Sequence, residues 1–309
     1  MKTVSRWWNR VWFQPIDPFS AGLFRIALGL LLSVMFAALY PNWERYYAAG
    51  GLLSLHDPAL PRLPEDWWCV FRWTDGIVPI GAWWWLGLLA GLAFTVGWHT
   101  RVATIILYVL QTSMIHRNLM IVNGDDLVFR MLLFYGCFAP LGAALSVDQW
   151  LKRRRAVGGS APPDTVQPLI WPIRLMQINI ALIYLISLPL KLTDSLGEWL
   201  RGDAIYWAMM NAQWGRWPGA PVFYAHGPIV SQLATYGSAA IEAAFPLLVW
   251  FAPCRPYVLW MITALHLGIA VAIPNVLFFT LSMACAFLLF VPAETSRRWY
   301  ANMREVFVR

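Results

Sequence analysis

The sequence predicts an all-α, polytopic integral membrane protein with about eight transmembrane helices and both termini in the cytoplasm. Hydrophobic residues make up 59% of the 309 residues and charged residues only 13%, and the mean hydropathy is +0.54. A soluble domain of this length has too little interior to bury so much apolar surface. The first apolar segment has no small-residue cleavage site and is followed by further apolar segments, so we expect no cleaved signal peptide.

The order of apolar segments and basic residues predicts the topology. The expected spans are about 19–39, 77–98, 102–122, 127–147, 169–189, 229–252, 256–274 and 276–291. With the N-terminus inside, the inner segments hold 13 of the 23 basic residues and carry a net charge of +8, whereas the outer segments carry −3. This bias predicts cytoplasmic termini. It also makes membrane lipids the expected partners, and no nucleic acid is needed to explain the positive charge.

The remaining segments flank or connect the spans within one membrane domain, 19–291. They are an amphipathic N-terminal segment, 1–18, a cytoplasmic linker, about 148–168, an outer Trp-rich segment, about 190–228, and a basic cytoplasmic tail, 292–309. Within the outer segment we expect a short interfacial or re-entrant helix over about 202–213. No internal repeat is visible.

One face of the fifth predicted span is polar. Gln177, Tyr184 and Lys191 recur every seven residues and therefore share one side of a helix. Lys191 is one of only three lysines, beside 20 arginines, and it lies where the apolar segment ends at the outer side. Polar groups within a membrane cost free energy, so this face is a candidate site.

Two uses of Lys191 remain open from the sequence. An amine at the end of a span often extends to water, in which case Lys191 is a structural anchor. Pro189 lacks a backbone donor and predicts an irregular helix end, and the Trp-rich segment that follows, including Trp199, is able to cover the amine. A desolvated amine loses its proton more readily and becomes a base or a nucleophile.

The sixth and seventh predicted spans contribute a carboxyl group and an imidazole. Glu242 is the only carboxylate near a predicted midplane. An unpaired charge there costs several kcal/mol, so we expect Glu242 to be protonated, or to pair with His266 or with an arginine. His266 alone is more typical of a histidine that packs between helices, but together the two residues are candidates to line a site.

Asp126 and Arg130 lie four residues apart at the outer end of the fourth predicted span. We expect an ion pair between them, which either holds the helix or contacts a substrate. Arg25 lies beside Gly29 in a small-residue face suited to close helix contact, and its guanidinium is expected to extend to lipid phosphate on the cytoplasmic side. The sequence contains no spacing typical of a metal site, a P-loop or a dinucleotide fingerprint.

Several of these residues occur in an order that resembles a known family. The run Arg174-Leu-Met-Gln177, followed by Tyr184, Lys191 and Trp199-Leu-Arg-Gly202, resembles the central signature of the membrane domain of vitamin K-dependent gamma-carboxylase and its bacterial relatives, the HTTM proteins. Other segments resemble further parts of the family in the same order, over about residues 15–295: Arg25-Ile-Ala-Leu-Gly29, the run from Asn123 to Arg130 with Ser146-Val-Asp148, Glu242 with Pro246, and His266.

The resemblance implies an activity and a cofactor. In the carboxylase, a lysine at the position of Lys191 deprotonates a reduced naphthoquinone, and the oxygenated quinone then removes a proton from a glutamate side chain, which takes up carbon dioxide. By this resemblance Lys191 is the catalytic base, Glu242 and His266 line the pocket, and the cofactor is a reduced menaquinone or vitamin K-type quinone, with no metal. The expected location is a bacterial inner (plasma) membrane. The candidate substrate- or cofactor-binding residues are Tyr184, Gln177, Asp126, Arg130 and Trp199.

The sequence departs from the carboxylase at two of these motifs. Gly124-Asp125 stands where the carboxylase has Asn-His, and Leu190-Lys191 stands where it has two lysines. These differences concern the pocket itself, so the substrate of this chain need not be protein glutamate.

Three functions are compatible with the sequence. The first is an HTTM-type membrane enzyme that uses Lys191 in an outer-leaflet pocket on a quinone, a lipid or a secreted peptide. The second is a non-catalytic membrane factor for maturation or export of a secreted peptide, in which Lys191, Asp126 and Arg130 form a structural network. The third is a small-molecule carrier, which the lack of a visible repeat makes the weakest. The oligomeric state is not indicated.

Overall fold

The structure is a computed structural model that describes residues 2–53, 67–156, 168–211, 215–216 and 228–308. Helix accounts for 77% of it, and no strand occurs among the described residues. The all-α prediction is therefore confirmed. The chain divides into two compact units, and the boundary falls inside one long helix. Most of the predicted linker and part of the Trp-rich outer segment (157–167, 212–214 and 217–227) lie outside the described residues.

Unit 1 comprises Met1–Leu175 and Pro292–Arg309. Its helices are α1 Lys2–Trp12, α2 Phe19–Leu39, α3 Trp43–Tyr47, α4 Val70–Trp73, α5 Ile80–Val96, α6 Thr100–Arg117, α7 Gly124–Gly136, α8 Val147–Ala156, the start of α9 Trp171–Leu192, and α15 Ala293–Val308.

Unit 2 comprises Met176–Val291. It contains the rest of α9, then α10 Glu198–Arg201, α11 Ala204–Met210, α12 Pro228–Leu248, α13 Arg255–Ala272 and α14 Leu277–Phe287. The short helix predicted over about 202–213 is thus present as α11, although it is shorter than expected.

Several helices have the length and composition of membrane spans. Within the described residues, Phe19–Tyr47, Trp171–Leu192 and Arg255–Ala272 are long and apolar enough to cross a membrane. The bent pair Leu277–Phe290 and Ala293–Glu305 makes a fourth if it is counted as one span. These three or four apolar helices are those of a membrane protein. Each of the eight predicted segments overlaps a helix, but the others are shorter or less apolar.

The fourth predicted segment differs most from expectation. The periodicity predicts a helix over 127–147, but α7 ends at Gly136, and residues 137–146 are turns and bends. Pro140 cannot donate a backbone hydrogen bond, and Leu145 has a positive φ of 51°. The carbonyl groups of this irregular segment therefore need donors from elsewhere.

Arg25 supplies those donors. Its side chain is fully buried, and its guanidinium donates to the carbonyl oxygens of Leu141 and Ala144 at 3.1 Å, of Leu145 at 2.5 Å and of Thr95 at 3.4 Å. The expectation that Arg25 extends to lipid phosphate is therefore wrong. A planar group with five donors is suited to several carbonyls that no helix satisfies.

The small-residue face of α2 does make close helix contacts, as the sequence predicts. A Cβ at Gly29 would lie 2.5 Å from the Thr95 hydroxyl oxygen on α5, and a Cβ at Gly87 would lie 2.2 Å from the Phe36 ring. These distances are below van der Waals contact, so the α2–α5 interface depends on glycine.

Segments that the charge bias assigns to the cytoplasmic side contact one another within unit 1. The Arg297 guanidinium, in the predicted tail, pairs with the Asp17 carboxylate at 2.8 Å. The Asp148 backbone N–H donates to the Gly97 carbonyl at 3.0 Å, which joins the start of α8 to the α5–α6 turn.

Candidate functional site

Unit 2 contains a row of polar side chains on α9. Tyr184, Ser187 and Lys191 are three and four residues apart, so they lie on one side of the helix. The helix continues through Pro189 to Leu192, and the irregular end predicted at this proline is not observed. Lys191 therefore projects from helical backbone in register with the rest of the row. Sequence reasoning missed Ser187, although its spacing from Tyr184 and Lys191 was available as a signal.

The C-terminal end of this row is an ion pair. The Lys191 Nζ donates a short hydrogen bond to the Glu242 Oε2 on α12, and the Ser187 hydroxyl donates to the same oxygen at 3.2 Å. The Lys191 and Glu242 side chains are only 18% and 13% exposed. The Lys191 Nζ also lies 4.2 Å from the centre of the Trp199 ring, a cation–π distance. The amine is therefore largely covered, as the Trp-rich segment predicts.

The deeper end of the row is a tyrosine–histidine pair. The Tyr184 hydroxyl lies 2.6 Å from the His266 Nε2 on α13, and both residues are 4% exposed. Phe245 and Phe287 stack against Tyr184, and Phe287 and Phe279 also border the imidazole. The buried His266 Nδ1 has no hydrogen-bond partner. An imidazolium would leave a charged donor unsatisfied in this aromatic site, so a neutral ring is the favoured form.

These contacts correct the pairing expected from the sequence. Glu242 is paired with Lys191, and not with His266 or an arginine, whereas His266 is paired with Tyr184. Tyr184 and Lys191 are seven residues apart, or about 10 Å along the helix axis. The helix register therefore brings the carboxyl group to one level and the imidazole to another.

Gln177 lies on the same side of α9, about two turns from Tyr184 and about four turns from Lys191. Its Nε2 donates to the Leu289 carbonyl at 2.7 Å, and the side chain is 8% exposed. This bond ties α9 to the end of unit 2. The structure therefore brings Gln177 into a packing contact and leaves it away from the Lys191–Glu242 pair.

Asp126 and Arg130 belong to unit 1, and in the described part of the chain they form no ion pair with each other. The Asp126 carboxylate accepts from the Gln111 Nε2 at 2.7 Å and from the Asn123 backbone N–H at 2.9 Å, which caps α7. The ion pair expected between Asp126 and Arg130 is absent from the ion pairs of the described residues. Burial, and then the charge of Asp126, raise the pKa of Asp125 to about 6.

Arg130 instead lines a cavity of about 380 Å³ in unit 1, together with Trp68, Tyr108 and His116. Of the eight candidate site residues, six therefore lie in unit 2. Four of these six form the two pairs along α9, and Trp199 lies beside Lys191. The two in unit 1 have separate surroundings.

Each of the two pairs on α9 joins an acidic side chain to a basic one. Lysine with glutamate, and tyrosine with histidine, are each joined by one hydrogen bond in a low-polarity environment, where the position of the shared proton responds to a nearby charge. In the described part of the chain, no group of three or more His, Cys, Asp or Glu residues is arranged to hold a metal ion.

Comparison with protein-family models, with curated proteins and with solved structures returned no match to this chain.

Proposed function

We propose that this chain is a membrane enzyme of the gamma-carboxylase-like (HTTM) type, in which the Lys191–Glu242 pair accepts a proton from a lipid-soluble hydroxyl substrate. The proposed setting is a bacterial inner membrane, with eight segments embedded and both termini in the cytoplasm. The positive-inside bias supports this topology, and so do the contacts among predicted cytoplasmic segments in unit 1.

The contact between Lys191 and Glu242 is the observation that carries the proposal. Such a pair has no net charge whether it is an ammonium with a carboxylate or an amine with a carboxylic acid. Either form becomes an ammonium with a carboxylic acid when it gains one proton. The substrate hydroxyl then loses its proton to the pair, becomes an oxyanion, and faces the positive charge that its own proton created.

The surroundings of the pair fit an apolar substrate. Leu190, Leu192 and Leu196 are 66%, 52% and 65% exposed, and they flank Lys191 in sequence. The Trp199 ring covers the amine. A planar, lipid-soluble hydroxyl compound could approach the pair across this apolar surface without crossing water. By the resemblance stated above, the proposed substrate is a reduced menaquinone-type quinone.

The Tyr184–His266 pair, about two turns before Lys191 on α9, also supports the proposal. It is the second hydrogen-bonded acid–base pair along the same helix. Ser187 lies between the two pairs, with its hydroxyl oxygen 3.0 Å from the Tyr184 carbonyl oxygen and 3.2 Å from the Glu242 Oε2. In this role the hydrogen bond between Tyr184 and His266 holds α9 and α13 in register and so keeps Lys191 in position.

The test uses reduced menaquinone as the probe with the full chain in lipid nanodiscs. Wild-type protein is expected to consume oxygen and convert the quinol to an oxygenated product, which is detected by chromatography. Lys191→Met and Lys191→Arg are expected to abolish this reaction, because a guanidinium does not release its proton in proteins. Lys2→Met removes a lysine of α1, outside unit 2, and is the matched control.

Two outcomes would contradict the proposal. An active Lys191→Arg protein would show that the position needs only a positive charge. A wild-type protein that leaves the quinol unchanged would exclude this substrate class. Size-exclusion profiles and thermal unfolding of each variant establish that loss of activity is not loss of fold.

A second function is favoured by the same contacts. An ion pair to Glu242 and a cation–π contact with Trp199 both stabilise an ammonium, which is what a structural anchor requires. Under this alternative the protein is a non-catalytic factor for maturation or export of a secreted peptide, and Lys191→Arg retains function. The arginine variant therefore separates the two.

A further inference from the structure

A cationic groove in unit 1 contains none of the eight candidate site residues. It is bordered by the start of α6, by the irregular residues 139–143 and by α8, and its volume is about 500 Å³. Four basic residues line it: His99, Arg101, Lys152 and Arg155. The groove is on the side that the charge bias assigns to the cytoplasm.

The sequence of α8 places its charges on two different faces. Leu151, Lys152 and Arg155 lie three, four and seven residues after Asp148, so the four residues share one face of α8, and all four line the groove. The Arg154 guanidinium instead lies over the Trp150 ring, 3.9 Å from its centre. The basic run of α8 is therefore divided between residues that face the groove and residues that do not.

The carboxylate in the groove has a structural role. The Asp148 Oδ1 accepts from the His99 backbone N–H at 2.8 Å, and its Oδ2 accepts from the Thr100 backbone N–H at 2.9 Å and from the Thr100 hydroxyl at 2.7 Å. Burial by itself would raise the pKa of Asp148, but these hydrogen bonds outweigh it and lower the pKa. Asp148 thus caps α6 and remains charged. With Arg101, Lys152 and Arg155 it leaves the groove with a charge of +2 while His99 is neutral.

An apolar stripe leads out of the groove. Val102 lines the groove and is 55% exposed, and Ile105, Ile106 and Val109 follow it on the same face of α6. Ile105 is 45% exposed, while Ile106 and Val109 are partly exposed. A free inorganic anion would make no favourable contact with this apolar surface. A ligand with an anionic head and hydrocarbon chains would use both parts.

We propose that the cationic groove binds the phosphodiester headgroup of an anionic membrane phospholipid, with an acyl chain along the stripe from Val102 to Val109. None of the ion pairs among the described residues includes Arg101, Lys152 or Arg155, and Asp148, the one carboxylate of the groove, caps α6. The headgroup supplies the negative charge that pairs with these three residues. The site joins two elements, α6 and α8, so an occupied groove stabilises unit 1.

The experiment measures thermal unfolding of the full chain in a neutral detergent, with added dioleoyl phosphatidylglycerol, dioleoyl phosphatidylcholine or inorganic phosphate. Phosphatidylglycerol is expected to raise the unfolding temperature, while phosphatidylcholine and inorganic phosphate leave it unchanged. In the double variant Lys152→Gln/Arg155→Gln, the apparent affinity for phosphatidylglycerol is expected to fall about thirtyfold, on the basis of roughly 1 kcal/mol for each basic residue near an anionic lipid.

The matched control is Arg153→Gln/Arg154→Gln, which removes the same charge from the same helix but from outside the groove. It is expected to retain an affinity within about twofold of wild type. Equal losses in the two double variants would refute a specific groove and leave only general attraction to charge. A shift with inorganic phosphate equal to that with the lipid, or no shift with the lipid, would also overturn the proposal.

Discussion

The Lys191–Glu242 pair makes a quantitative prediction about stability. Lys191→Met leaves the Glu242 carboxylate without its partner, in a site where it is only 13% exposed. Breaking a buried ion pair in this way typically costs about 3–5 kcal/mol. The cost has an upper limit, because a stranded carboxylate can take up a proton, which for a glutamate at pH 7 costs about 3.7 kcal/mol. We expect a loss of about 2–3 kcal/mol, since the site is not fully enclosed.

A double-mutant cycle isolates the pair. Glu242→Gln strands the ammonium, for which the corresponding limit at pH 7 is about 4.6 kcal/mol. Lys191→Met/Glu242→Gln removes both charges, so it is expected to be more stable than the sum of the single losses predicts, by about 2 kcal/mol. Unfolding by SDS in mixed micelles, followed by tryptophan fluorescence, measures the four free energies. A coupling within about 0.5 kcal/mol of zero would refute the inference that the pair is desolvated.

The pH dependence of Lys191→Met provides a second check on the same reasoning. As the pH falls below 7, Glu242 takes up a proton in the folded variant before it does so in the unfolded chain, so the folded form binds more protons and its deficit shrinks. At pH 5 the limiting cost for a glutamate is only about 1 kcal/mol. A deficit that is the same at pH 5 and pH 7 would show that the loss comes from packing and not from charge.

Three other predictions concern unit 1, and SDS unfolding measures each. Arg25→Lys is expected to destabilise the protein by about 2–4 kcal/mol, because one ammonium cannot reach the four carbonyls that the guanidinium serves; an unchanged stability would contradict this. Asp125→Asn is expected to stabilise the protein by about 2 kcal/mol at pH 8 and to have little effect at pH 4, because the pKa raised to about 6 means that the folded state resists ionisation of Asp125 above that pH. A gain at pH 4 equal to that at pH 8 would be inconsistent with it. Asp148→Ala is expected to cost about 1–2 kcal/mol at pH 7, through loss of the cap on α6. Because the pKa of Asp148 is lowered in the folded state, this contribution is present above pH 4 and is lost as the pH falls through that lowered value.

The polar face of α9 shows how far local pattern extends. Spacing alone places Tyr184 and Lys191 on one side of a helix, and the structure has them there. Spacing could not identify their partners, because Glu242 and His266 belong to other helices, and the vertical register of those helices depends on packing of Phe245 and Phe287 in the unit 2 core. The expected pairing of Glu242 with His266 or an arginine is therefore wrong, because Glu242 meets α9 at Lys191, about two turns from the Tyr184–His266 contact.

Arg25 and the segment after α7 show the opposite limit. The composition of 127–147 is apolar enough to predict a continuous span, but the backbone leaves the helix after Gly136 and Arg25 satisfies its carbonyls. An arginine near a span end and an apolar run with a single proline each have an ordinary local interpretation. Arg25 contacts carbonyl groups that are 116 or more residues away in the chain. Only this contact reveals that the buried guanidinium needs these acceptors and that the irregular backbone needs its donors.

The sequence by itself determined that this is a helical membrane protein with a polar stripe ending at Lys191, because total apolar content and helical periodicity are properties of single segments. The tertiary structure decided that Lys191 contacts Glu242, that His266 contacts Tyr184 and that Arg25 is buried. These depend on which helices meet and at what height, and a buried charge takes whichever partner the packing brings within hydrogen-bond distance.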